Sequence, residues 1–144
     1  MGYATPYKIN GYCVSDDILF YDPTEYHPSG ATGKLAKGFV LNTQMASYSK
    51  LRFKVKIHGE TASGTTCNFF LKAGNTLTIT DPTIWTETEA GDAYVEYTED
   101  ISMSSYPVGT CFGFWIISSP GVDDDIYMKD ISICGVASPF QPLY

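Results

Sequence analysis

Val108-Gly-Thr-Cys-Phe-Gly-Phe-Trp-Ile-Ile-Ser-Ser119 and Ile126-Tyr-Met-Lys-Asp-Ile-Ser-Ile-Cys-Gly135 are two apolar runs of strand length, parted by a loop that holds Pro120, Gly121 and Asp123-Asp-Asp125. Runs of this length, rich in β-branched and aromatic residues and bounded by Pro, Gly and Asp, read as core strands. In the first run Phe112, Phe114 and Ile116 share one phase and Trp115 has the other. If the trio faces a core, Trp115 looks to the opposite face of the sheet, as a stacking platform or as a second buried surface.

Working outward, Leu51-Arg-Phe-Lys-Val-Lys-Ile57 alternates strictly between apolar and basic residues. That pattern predicts Leu51, Phe53, Val55 and Ile57 in the core and Arg52, Lys54 and Lys56 in water. Cys67-Asn-Phe-Phe-Leu-Lys72 and Thr76-Leu-Thr-Ile-Thr80 read as a hairpin closed by Gly74-Asn75. Further strands are predicted at Asp17 to Tyr21, Gly38 to Thr43, Ala93 to Thr98, Ile101 to Met103, Cys111 to Ile117 and Ile126 to Ile133, about eight in all. Gly, Pro, Asp, Ser and Thr clusters separate them, and no stretch carries a long 3.6-residue period. The expected fold is all-β: an antiparallel two-sheet β-sandwich with jelly-roll topology.

The chain has 144 residues, 44% hydrophobic, 15% aromatic and 17% charged, which suits one domain spanning residues 1–144. Residues 136–144 are expected to form a Pro-rich tail, docked on its own domain or on a neighbouring subunit through Phe140, Leu143 and Tyr144. A formal net charge of -7 repels phosphate backbones, so nucleic acid is not an expected partner. No apolar run approaches a membrane span, and Met1 to Lys8 lacks the apolar stretch of a signal peptide. Cys13, Cys67, Cys111 and Cys134 are widely spaced and lie in or beside strand-like runs, which favours free thiols over zinc ligands or disulfides.

Ile126-Tyr-Met-Lys-Asp-Ile-Ser-Ile133 resembles the terminal strand of jelly-roll carbohydrate-binding modules, and Phe112-Gly-Phe-Trp-Ile-Ile117 resembles their penultimate strand. Such domains occur in bacteriophage tail-fibre and virion adhesion proteins and in carbohydrate-active enzymes. The resemblance implies a non-catalytic glycan-binding or adhesion role on a virion or phage-like assembly, at an extracellular surface after cytoplasmic synthesis. A purely structural subunit of a capsid or fibre, and a module of a secreted glycan-degrading enzyme, are the alternatives. Expected partners are carbohydrate or other subunits of a larger assembly, a homo-oligomer such as a trimer included, with no nucleic acid and no membrane. Where relatives place a first acidic residue that helps to hold calcium, this chain has Lys129, followed by Asp130. Strand parity would turn Lys129 inward, toward Asp16 or Asp17, unless its ammonium snorkels to solvent.

Sugar rings are held by aromatic faces and by hydrogen bonds to hydroxyls. The candidate ligand-binding residues are therefore Trp115, Trp85, Tyr94, Glu96, Arg52, Lys54, Asn68 and Phe70, with Trp85 read as a loop aromatic. Asp123-Asp-Asp125 lacks the alternating ligand spacing of an EF-hand, and no metal or cofactor is expected. Nothing singles out a carboxylate pair for glycoside hydrolysis or a nucleophile motif beside His27 or His58, so the chain is not expected to be an enzyme.

Overall fold

A computed structural model of the chain describes residues 16–27, 33–59, 66–91, 93–119 and 126–136. Eight strands run in the order β1 (Asp16–Asp22), β2 (Lys34–Val40), β3 (Lys50–His58), β4 (Thr66–Gly74), β5 (Thr83–Glu89), β6 (Val95–Ser102), β7 (Cys111–Ser119) and β8 (Tyr127–Val136). One sheet has the order β1-β8-β3-β6 and the other β2-β7-β4-β5. All pairings are antiparallel, and β1 with β8, β2 with β7, β3 with β6 and β4 with β5 form nested pairs. Nested pairs divided between two four-stranded sheets are the jelly roll anticipated from the strand pattern.

The alternation in β3 sets the core. Leu51, Phe53, Val55 and Ile57 are fully buried, while Arg52, Lys54 and Lys56 keep partial exposure on the other face. Phe53 reaches across to the second sheet, its ring centroid 5.9 Å from Phe112, 6.0 Å from Phe114 and 6.1 Å from Phe39. Phe69 continues the stack, 5.9 Å from Phe114 and 4.8 Å from Trp85. Rings at these separations add edge and offset-stacking attraction to the hydrophobic gain of burial.

The predicted strand Thr76–Thr80 is not formed; a turn occupies those residues, and the partner of β4 is β5, seven residues further on. Asp81 is the cause. Its carboxylate accepts hydrogen bonds from the Thr78 amide and hydroxyl at 3.2 and 3.0 Å, the kind of local bond that draws backbone away from a ladder. The turn lays its apolar side chains on the outer face of the second sheet. Gly38 and Gly113 are register partners there, and a Cβ on either would stand 2.6 Å from Leu77 Cδ1 or 2.7 Å from Trp115 Nε1. Two glycines facing each other thus leave the slot that Leu77 and the Trp115 ring fill.

Two other boundaries move. The strand predicted from Gly38 to Thr43 ends at Val40, because Asn42 accepts the Met45 amide at 2.8 Å and caps a helical turn, α1 (Thr43–Ala46). The segments predicted at Ala93 to Thr98 and Ile101 to Met103 are one strand, β6, followed by a 3-10 turn over Met103–Ser105. Among the described residues Cys67, Cys111 and Cys134 are thiols, and burial pushes the Cys67 thiol up to about 12, which makes it inert. Cys13, Asp123 to Asp125 and the tail with Phe140, Leu143 and Tyr144 lie outside the described residues. Among those described, no helix is long and apolar enough to cross a membrane.

Candidate functional site

The outer face of the first sheet gathers polar side chains in rows set by strand register. Across β1, β8, β3 and β6 one row runs Ile18, Cys134, Arg52, Asp100 and the next Tyr21, Ser132, Lys54, Thr98. Lys129, Lys56 and Glu96 follow, and then Tyr127 with His58. An open hollow of about 270 Å³ is lined by Ile18, Tyr21, Lys54, Lys56, Glu96, Asp130, Ser132 and Cys134. A second adjoins it over Arg52, Lys54, Thr98, Glu99 and Asp100. Lys54 borders both, so the two form one trough across four strands, roughly 14 Å from β1 to β6 at ordinary strand spacing.

A bulge shapes the centre of the trough. Between the pairs Lys54–Ser132 and Lys56–Lys129, β8 carries one residue more than β3, and Asp130 takes the left-handed conformation at φ 51°. The extra residue reverses side-chain parity. Tyr127 and Lys129 therefore share the outer face, whereas Met128, Ile131 and Ile133 are buried. This corrects the inward orientation expected for Lys129: its ammonium lies over the Tyr94 ring, 4.1 Å from the centroid. The side chains of Asp16 and Asp17 lie outside those described.

The bulge also aims Asp130 into the trough, where it accepts the Tyr21 hydroxyl at 2.8 Å and the Lys56 ammonium at 3.1 Å. Tyr21 and Lys56 hold this carboxyl below its ordinary range. Asp100 is held low in the same way by a two-pronged bond from Arg52, at 2.8 and 3.0 Å. At the rim of the core, burial pulls the Asp22 carboxyl upward, but hydrogen bonds from Tyr26 and Thr24 and the charge of Lys37 outweigh it and leave the group low.

A carboxyl whose folded pKa is depressed contributes stability above its unfolded pKa, about 4, and loses it as pH falls through the folded value. Thermal stability is therefore expected to change little between pH 7 and 5 and to drop below about pH 4. Glu89, which accepts the Tyr97 hydroxyl and the Gly91 amide, is held low as well, and Asp22, the least exposed of the four, should dominate that limb. Asp22→Asn should flatten it in a series of melting curves, and an unchanged acid slope would contradict the assignment.

At one end of the trough stand several rings. His58 lies 5.2 Å from Tyr127 and 5.3 Å from Tyr94, and His27 lies 4.2 Å from Tyr127. The Tyr94 hydroxyl donates to Glu25; burial and this bond raise its pKa, so it stays protonated. The end wall is thus fixed by ring packing and one charged hydrogen bond, without needing a ligand to order it.

Of the predicted ligand-binding residues, Arg52, Lys54, Tyr94 and Glu96 meet on this face. Asn68 and Phe70 do not: they lie on β4, on the outer face of the other sheet, where Phe70 pairs with Trp115. Trp115 also faces out from that sheet, yet it is only 8% exposed, covered beside the Gly38–Gly113 slot. Trp85 is not a loop residue; it belongs to β5, packs edge-on to Phe69 and donates to Glu87 at 2.8 Å. Tyr21, Asp130 and Ser132 were missed by the sequence reading. The signal for Tyr21 is its place in an apolar strand, in the phase opposite to the partly buried Phe20. Among the described residues no three His, Cys, Asp or Glu side chains are grouped to hold a metal ion.

No family model matches the chain, and no curated protein sequence does. Solved structures do. The subunit of Bacillus endospore appendages, described as a family of disulfide-linked pili, superposes with a TM-score of 0.50 at 12% identity, over 85% of this chain and 91% of that one. The CBM22-1–GH10 modules of Clostridium thermocellum xylanase 10B, solved with xylohexaose, superpose with a TM-score of 0.51 at 12% identity over 90% of this chain. The chain spans 30% of the length of that protein. At such identities the likeness establishes the β-sandwich fold.

Proposed function

We propose that this chain is a non-catalytic glycan-binding module that takes a sugar chain along the trough of the first sheet. The observation that carries the reading is the row Tyr21, Ser132, Lys54 and Thr98, flanked by the fixed pairs Arg52–Asp100 and Lys56–Asp130. Tyr21, 55% exposed, offers a ring face against which the apolar side of a pyranose can stack. The paired charges supply donors and acceptors whose directions are set before binding, so little side-chain entropy is lost on contact. The CBM22-1 module in the C. thermocellum structure, part of a protein solved with xylohexaose, supports carbohydrate as the ligand class.

The setting we favour is adhesion at the surface of a virion or phage-like assembly, which rests on the sequence resemblance; a module appended to a glycan-degrading enzyme uses the same trough. A second reading, a structural subunit of a fibre or capsid, is favoured by the exposed apolar residues Leu35, Val40, Leu77 and Ile79 on and beside β2, and by the appendage subunit of like fold. A glycan array that includes bacterial surface polysaccharides, followed by isothermal titration, tests the first reading. Saturable binding is expected, and uniform absence of binding contradicts it. For the second, light scattering should find an oligomer of fixed size, and a monomer at all concentrations contradicts it.

A further inference from the structure

We propose that the trough selects acidic glycans, and that Lys54 reads the carboxylate of a uronate residue. This inference rests on the glycan-binding reading above and narrows it. Five cations stand on or beside the outer face; Lys50, at the start of β3, lies outside the trough and acts on Asp100, and three of the other four are already engaged. Arg52 holds Asp100 through two hydrogen bonds, Lys56 holds Asp130 at 3.1 Å, and Lys129 lies over the Tyr94 ring at 4.1 Å. Lys54 is the exception within the trough: among the described residues no carboxylate pairs with it. Its neighbours across the ladder are the hydroxyl residues Ser132 and Thr98, and it alone borders both hollows.

The fold therefore leaves one ammonium at the middle of the trough with neutral donors and acceptors on either side. Its own carboxylates are either taken, as Asp100 and Asp130 are, or stand toward the β6 rim, as Glu96 and Glu99 do. A uronate fits this arrangement. Its carboxylate completes the ion pair that Lys54 lacks, the Ser132 and Thr98 hydroxyls hydrogen-bond to the same group or to the adjacent ring oxygens, and Glu96 accepts from a sugar hydroxyl. The chain carries a formal net charge of -7, so an acidic polysaccharide gains nothing from the long-range field. Selection must come from contact in the trough, where partial desolvation makes a paired charge count for more than it does in open water.

The test takes each polysaccharide bound by the wild-type chain and measures it by affinity electrophoresis beside its carboxyl-amidated form, which keeps the backbone and removes the charge. Wild type, Lys54→Met and Lys54→Arg are compared, with melting curves to confirm that each is folded. The expected result is that the bound polysaccharides carry uronates, that amidation weakens wild-type binding at least tenfold, that Lys54→Met binds the native form no better than wild type binds the amidated one, and that Lys54→Arg restores much of the loss. Neutral polysaccharides as the ligands, or affinity that neither amidation nor Lys54→Met changes, would overturn the proposal. If Tyr21→Ala still abolishes binding in that case, the trough reading survives it. Absence of binding to every polysaccharide overturns both.

Discussion

Phe53→Ala is expected to lower the stability of the fold by about 3–5 kcal/mol, the usual cost of deleting a phenyl ring from a core that cannot collapse around the gap. Phe53 is fully buried and touches Phe39, Phe112 and Phe114, so its ring joins the two sheets rather than strands of one. The loss is a large part of the total stability of an ordinary domain, roughly 5–15 kcal/mol. Equilibrium urea unfolding measures it: the midpoint should fall sharply with little change in slope. A loss below about 1 kcal/mol would mean that the sheets are not held together where the ring stack places their contact.

Tyr21→Ala should have the converse profile, a loss of glycan affinity of tenfold or more with stability almost untouched. The side chain is 55% exposed, and among the described residues its one polar contact is the hydroxyl bond to Asp130. Exposed substitutions of this kind usually shift stability by no more than about 0.5 kcal/mol. A stacking platform lost from a binding surface removes about 1.4 kcal/mol or more, and each 1.4 kcal/mol is a factor of ten in affinity. Phe70→Ala is the matched control, an aromatic on the opposite sheet with Lys72 over its ring, and it should leave affinity unchanged. Equal losses from both variants, measured by titration against the same polysaccharide, would place the ligand elsewhere.

The parts of this molecule that were legible in the sequence are those where one physical signal dominates. Leu51 to Ile57 alternates without a break because one face of β3 is dry and the other wet, and that single pattern placed the core and put Arg52 and Lys54 on the open face. Asn68 and Phe70 take the outward phase of their own strand, but parity tells only which side of its strand a residue takes, not which of two sheets the strand joins. Trp85 was misread for a different reason. The apolar alternation of Leu77 and Ile79 imitates a strand, and only the Asp81 bonds to Thr78 show that the segment turns instead and that β5 begins at Thr83.

The centre of the trough was the least visible part. Tyr21 and Asp130 are 109 residues apart in the chain and meet only because β1 and β8 are neighbours in the sheet. The bulge that turns Asp130 and Lys129 outward adds a single residue to β8, and a strict two-residue period passes over it and returns the wrong face for Lys129. Local alternation does not encode where a strand breaks its own rule.

The central claim, that a glycan lies across the outer face of the first sheet, is tested most directly by amide chemical-shift mapping of the isotope-labelled chain during titration with an oligosaccharide prepared from a polysaccharide it binds. The shifts are expected to cluster on Tyr21, Arg52, Lys54, Lys56, Glu96, Thr98, Asp130 and Ser132, in rows that cross β1, β8, β3 and β6. Shifts confined to Asn68, Phe70, Trp115 and their neighbours on β2, β7, β4 and β5 would contradict it.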